Sequence, residues 1–312
     1  MIDSHCHPQF PEYDADRDEM IKRTLEGGGG MIAIGTDLET TRQAVALAET
    51  YGNPPSPDGF GRAGIWATAG LHPTDANGPA YAEALASLKP TAERRSAGKQ
   101  AVDNFVEFMS YNKVVAVGEV GLDYYRITNQ EERIKQKEVF KSFIELAQKY
   151  QKPLILHLRN SPGSNDAFSD ALAIWGEMFP GVARPPRFSL KNLGVVHSFT
   201  GDLATAQAFI AQGFLIGLNG IITFPPSSRH SGTSEGQVPN QYDELIKALP
   251  LGKILIETDA PYLAPVPHRG KRNEPLWVKY VAEKIAQVKN ISPEEVGRIT
   301  TQSTCELFNL QA

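Results

Sequence analysis

The apolar positions fall into short β-branched runs, separated by longer stretches in which they recur every three or four residues. Eight runs read as strands: MIDSH (1–5), GMIAIG (30–35), GIWATAG (64–70), VVAVG (114–118), PLILH (153–157), LGVVH (193–197), GFLIGL (213–218) and KILIE (253–257). Helical spacing fills most of the gaps. It is clearest over 130–151, where Ile134, Val139, Phe140, Phe143, Ile144, Ala147 and Tyr150 share a face. A second helix is predicted over 202–212, with Asp202 as N-cap and Gly213 as its stop. Ser292-Pro-Glu-Glu295 reads as a capping box with proline in the first turn. Strand and helix in alternation imply a parallel sheet. Eight strands favour closure over an open doubly wound sheet, so the expected fold is α/β, one barrel domain spanning 1–312 with inserted loops. Insertions are expected at 53–62, around 160–190 and at 225–241. The last follows the seventh strand and should rise from the catalytic face. Gly27 to Gly30 lacks a GxGxxG context and reads as a connection rather than a nucleotide loop.

The ends of these strands carry the candidate chemistry. His5 and His7 close the first, Glu119 the fourth, His157 the fifth and His197 the sixth, and Asp259 follows the eighth. Residues two apart on a strand point the same way, so His5 and His7 form a clamp and Cys6 faces the opposite side as a packed apolar residue. One strand-end histidine is ordinarily a satisfied core residue. Histidines and carboxylates delivered to one face by successive strands are instead the makings of a metal site. The arrangement suggests two divalent cations, with His5, His7 and Asp259 around one, His157 and His197 around the other, and Glu119 bridging. Nitrogen with carboxylate suits zinc or manganese, whereas magnesium would bind more loosely. Glu119 and Asp259 are the candidate catalytic carboxylates, the latter as ligand, general base toward water, or both.

Composition narrows the setting. The chain is 41% hydrophobic and 21% charged, which supplies a full core, and no apolar run is long enough to span a membrane. Two cysteines, Cys6 and Cys305, fit a reducing compartment better than a disulfide framework. The first residues form a ligand-bearing strand rather than a signal stretch. A soluble protein is expected, cytoplasmic or, in a eukaryote, nuclear, and monomeric or weakly oligomeric. A net charge of −5 argues against an extended grip on duplex DNA, though not against a small footprint beside metal ions.

Eight segments together resemble the TatD family of metal-dependent deoxyribonucleases, among the amidohydrolase-like barrels. They are DSHCH (3–7), GLHP (70–73), GEVGLDYY (118–125), HLR (157–159), HSFTG (197–201), GLNGIITF (217–224), ETDAPYLAP (257–265) and RGKRNEP (269–275). The resemblance covers nearly the whole chain. It implies a TIM-type barrel, a two-metal site held by the six ligands above, and hydrolysis of DNA, often exonucleolytic from the 3′ end, with 3′ ends or single strands as the expected partner. Leu158, Asn160-Ser161-Pro162, Ser198 and Ser303 depart from the family pattern, and these bear on substrate preference rather than on reaction type.

Substrate contacts are expected from His72, Tyr124, Arg159, Lys271 and Arg272. His72 and Arg159 leave strands three and five on the ligand face, and an arginine fork suits a phosphate oxygen pair. Tyr124, like Asp123, lies just beyond Glu119, where simple packing is the competing reading. Lys271 and Arg272, with Arg269, form the densest basic cluster, after strand eight. The alternative is a hydrolase of small esters, lactones, amides or phosphotriesters on the same barrel, which would have no use for these cations. A purely structural metal site is disfavoured because such sites are closed and rich in cysteine.

Overall fold

The eight apolar runs become eight parallel strands in a computed structural model that describes residues 1–52, 64–77, 101–180, 190–225 and 241–310. They are β1 (Ile2–Cys6), β2 (Gly30–Ala33), β3 (Gly64–Ala69), β4 (Val114–Asp123), β5 (Leu154–Arg159), β6 (Gly194–Val196), β7 (Phe214–Leu218) and β8 (Ile254–Ile256), each paired with the next in sequence. The ring closes where Cys6 bridges Ala260. There His7 N–H donates to the Ala260 carbonyl at 2.7 Å and Asp259 N–H to that of His5 at 2.9 Å. The described helices are α1 (Arg17–Glu26), α2 (Leu38–Tyr51), α3 (Gln130–Tyr150), α4 (Asp166–Met178), α5 (Leu203–Ala211), α6 (Gln241–Ala248), α7 (Val278–Lys289) and α8 (Pro293–Phe308). The architecture is the expected TIM-type barrel.

The side-chain alternation of the strands divides the apolar residues into two cores. Ile2, Ile32, Trp66, Ile155, Val195, Leu215 and Leu255 fill the barrel, and Leu307, Phe308 and Leu310 join them from the end of α8. These three close the barrel where its strands begin. A larger cluster lies between strands and helices, with Cys6, Val117, Val120 and Leu122 facing Phe140, Phe143 and Ala147 of α3. Fully burying one such side chain is worth about 1.5–3 kcal/mol.

Two boundaries differ from the sequence reading. β4 does not stop at Gly118 but runs through Glu119 to Asp123. Gly118 and Gly121 look like breakers, yet they are what lets the strand continue close to β5. A Cβ at Gly121 would stand 2.0 Å from the His157 carbonyl oxygen, and one at Gly118 2.7 Å from Ile155 Cβ. The stretch around 160–190, expected as an insertion, contains α4, the regular barrel helix after β5, with Phe168, Ala171, Ile174 and Trp175 buried. Residues 53–62 lie outside the described residues, as does nearly all of 225–241.

Helix α3 buries most of the expected face, but Ile134 is 48% exposed. Gln136 occupies the buried position instead, accepting from Asp123 N–H at 3.0 Å and donating to the Pro73 carbonyl at 3.0 Å. Backbone at the strand ends has run out of sheet partners, and an amide side chain satisfies it. Asp202 caps α5 through Thr205 N–H, and Gly213 follows that helix with φ +98°. Ser292 caps α8 through Glu295 N–H, while the Glu295 carboxylate turns to Arg298.

Candidate metal centre

The alternation that packs the barrel also delivers the site. Two residues beyond the interior Ile155 comes His157, and two beyond Val195 comes His197. β1 needs an adjustment, since Ile2 and His5 both face inward three residues apart. Its register shifts between Asp3 and Cys6, which turns His5 and His7 inward and leaves Cys6 in the outer core. β4 shifts likewise between Val117 and Val120, around Glu119. Asp259 takes a left-handed backbone, φ +58°, and so does Ser198, φ +46°, immediately after His197. Non-glycine residues in that region cost of order 1–3 kcal/mol and cluster at functional sites.

The structure brings all six expected ligands together. Glu119 lies at the centre. Its Oε1 is 2.7 Å from both His157 Nδ1 and His197 Nε2, and its Oε2 is 3.5 Å from His5 Nε2. Asp259 Oδ1 stands 3.7 Å from His5 Nε2 and 3.5 Å from His7 Nε2. His5 stacks on His197 with ring centroids 3.9 Å apart. Burial pushes His5 down to about 4, with the neighbouring His197 acting the same way. Burial opposes ionisation of Glu119, but His197, His5 and the hydrogen bonds of His157 and His197 outweigh it and hold the carboxyl well below its usual range. Burial also opposes a charge on His157, which Asp123 and Glu119 nevertheless hold up at about 9.

This donor set fits metal ions. His157 Nδ1 lies within 3.3 Å of Glu119 Oε1, His197 Nε2 and His72 Nε2, so four polar atoms converge on one point. Both nitrogens of His5 are buried without a hydrogen-bond partner, as are His157 Nε2 and His197 Nδ1. Such atoms are costly unless something coordinates them. Three compact donor groups result: His5, His197 and Asp259; His5, His7 and Glu119; and His72, Glu119 and His157. The participation of His72 was not foreseen. Its Nδ1 is held by Thr74 Oγ1 at 2.7 Å, which turns Nε2 toward the cluster.

Other buried acids back the ligands. Asp123 Oδ2 is 3.5 Å from His157 Nε2. Glu257, two residues beyond the interior Leu255, accepts from Ser198 N–H, and its Oε1 is 3.9 Å from His197 Nδ1. Asp3 accepts from the backbone of His5 and Thr258. Desolvation pushes Asp3 up to about 7 and Glu257 well above the carboxylate range. Carboxylates behind ligating histidines orient their rings. Glu257 was not foreseen, because Asp259 in the same ETD segment already offers a carboxylate at that strand end. Its two-residue spacing from Leu255 was the available signal.

The centre opens into a cavity of about 720 Å3. His72 and Arg159 line it, as expected, and Arg126, Phe10, Tyr125 and Tyr262 join them. Two expected substrate residues are placed elsewhere. Tyr124 is fully buried, its hydroxyl donating to Asp170 at 2.8 Å beneath the Arg133 guanidinium, so its role is packing. Arg272 is held bidentately by Asp16 at 2.6 and 2.8 Å, faces the Tyr13 ring and is absent from the cavity lining. Its charge is spent within the fold. Lys271 is exposed and likewise does not line the cavity.

The profile of the family described as TatD related DNase matches residues 2–309. The metal-dependent hydrolase YabD of Bacillus subtilis (strain 168) is 32% identical over 311 residues, 99% of each chain. The 3'-5' ssDNA/RNA exonuclease TatD of Erwinia billingiae (strain Eb661) is 30% identical over 317 residues, 100% of each chain. The crystal structure of YjjV, a TatD homologue from Escherichia coli K12, matches with a TM-score of 0.72 at 26% identity, covering 100% of this chain and 98% of that one.

Proposed function

Since the chain belongs to the TatD family and is a metal-dependent hydrolase, we propose that its substrate is DNA, cleaved at phosphodiester bonds from an unpaired 3′ end. The carrying observation is the placement of Glu119, whose two oxygens face different groups of imidazoles within a cavity also lined by Arg126 and Arg159. His5, His7, Glu119 and Asp259 would hold one divalent cation, and Glu119, His157 and His197 a second. Bound there, zinc, manganese or magnesium would supply Lewis acidity toward a phosphoryl oxygen and acidify water.

The protein's own groups do the rest. Asp259 is kept ionised against burial by His7 and His5, and it takes the proton of the attacking water. Water adds to phosphorus, the P–O3′ bond breaks, and the departing oxygen takes up a proton from solvent to become the new 3′ hydroxyl, while Asp259 returns its proton to solvent. Arg126, Arg159 and His72 bind the non-bridging oxygens, where charge grows in the transition state. No helix among the described residues is long and apolar enough to cross a membrane. The bacterial relatives support a cytoplasmic setting.

Purified protein loaded with Mg2+, Mn2+ or Zn2+ tests the reading on end-labelled single- and double-stranded DNA, with a lactone and a phosphotriester in parallel. Stepwise shortening from the 3′ end of single strands is the expected result. Turnover of the lactone or phosphotriester, with DNA left intact under every metal, would overturn it in favour of a small-ester hydrolase.

A further inference from the structure

Among the described residues only a few large apolar side chains stand out to solvent, and two of them, Tyr125 at 51% and Tyr262 at 48%, line the cavity above the metal centre. Exposed aromatic rings are ordinarily hidden or spread singly over a surface. Here each is part of a built wall. The Arg159 guanidinium carbon lies 4.0 Å from the centroid of the Tyr125 ring. Tyr262 stands edge-on to Phe10, at 6.4 Å and 68°, and Phe10 in turn stacks on His7 at 4.4 Å and 17°. Tyr262 is fixed from below, since Asn273 donates to its carbonyl at 2.7 Å.

The two walls belong to opposite sides of the barrel. Tyr125 follows β4 and Tyr262 follows β8, four strands away in a ring of eight. The metal ligands lie between them, at the strand ends. A cavity of this size accommodates a drug-sized ligand, on the scale of a nucleotide or two.

We infer that the walls are stacking platforms for two successive unpaired nucleobases, splayed apart, one on Tyr125 with Arg159 and the other on Tyr262 with Phe10. The phosphate joining them then lies over the ligand cluster. This rests on the phosphodiesterase reading above and adds to it the way the strand is held. Every base has a π face, so such platforms bind without reading sequence, and arginine against the ring adds a cation–π contribution. In a duplex each base is covered by its neighbours above and below. Only a single strand or a frayed end can spread two bases onto opposite walls.

The test uses metal-loaded, full-length protein and two single-stranded oligonucleotides, one with all its bases and one abasic at its last two 3′ nucleotides. Tyr125→Ala and Tyr262→Ala should each raise KM about ten- to hundredfold on the base-bearing strand with kcat nearly unchanged. Tyr125→Phe and Tyr262→Phe should restore it. Wild type should lose a similar factor on the abasic strand, and there the alanine variants should lose little more. Equal losses on both strands, or a wild-type KM indifferent to the missing bases, overturn the stacking inference while leaving the phosphodiesterase reading intact. The wild-type comparison decides even where an alanine variant fails to fold. If wild type cleaves neither strand under any metal, the phosphodiesterase reading fails and the inference falls with it.

Discussion

Glu119 is buried as deeply as the aliphatic residues around it, yet it stays ionised because imidazoles surround it. That makes its charge, more than its shape, the thing the site depends on. Glu119→Gln should lower the metal content of the purified protein and reduce kcat by several orders of magnitude, with the fold intact by circular dichroism. Asp259→Asn should leave metal at the His157 side and still lose hydrolysis to a comparable extent. Activity within about tenfold of wild type at saturating metal, in either variant, would remove that residue from the chemistry. The six proposed ligands could be picked out in the sequence because each ends or follows an apolar run, and an apolar run names its strand. Arg272 was misread for the opposite reason. Its partner Asp16 is 256 residues away, and nothing in RGKR shows that a carboxylate already holds it. Arg126, which does line the cavity, sits in no cluster at all and so gave no signal.

At the scale of elements, β4 is the one whose sequence and structure disagreed most. Its glycines are contacts with β5, so Gly121→Ala should destabilise strongly, by about 3 kcal/mol or more, since the new methyl meets a carbonyl at φ +148°. Gly52→Ala separates strain from space: nothing lies within 4 Å, but φ +57° with ψ −149° is a region nearly confined to glycine, so a smaller cost of about 1–3 kcal/mol is expected. Denaturant midpoints compare them, and equal costs would mean that β4 yields more easily than its packing implies. The loop after β8 is tied to the start of α1 by Asp16 and Arg272. The guanidinium hydrogen bonds hold the Asp16 carboxyl down at about 2, below its ordinary 3.8. A depressed folded-state value stabilises above the unfolded one and is lost as pH falls through about 2. Asp16→Asn should therefore cost about 1 kcal/mol or less near neutrality, after solvent screening, and the gap should narrow below about pH 4 and close toward about pH 2. Urea melts at pH 7 and pH 2.5 measure it, and a gap that widens in acid would be the wrong sign. This tie links segments far apart in sequence and could not have been read from either alone, whereas the helix caps, being local, were.

For the whole molecule, the question is how a chain of net charge −5 holds a polyanion. With Arg272 committed to Asp16, few cations among the described residues face the cavity, Arg126 and Arg159 foremost. Two phosphates neutralised on a single strand imply a slope of log K against log salt of about −1.4. Titrations on the Asp259→Asn protein over a salt series would show it, and a slope near −6 would mean that DNA lies along a surface not described here. The barrel closes only when Cys6 meets Ala260, and the ligands are drawn from both sides of that seam, His5 near the beginning and Asp259 more than 250 residues later. A chain still emerging from the ribosome thus holds its first two histidines long before it has the carboxylate that completes their site. A translation fragment that stops short of the last strand would lack the Asp259 carboxylate of the proposed metal site, and it is expected to be inert.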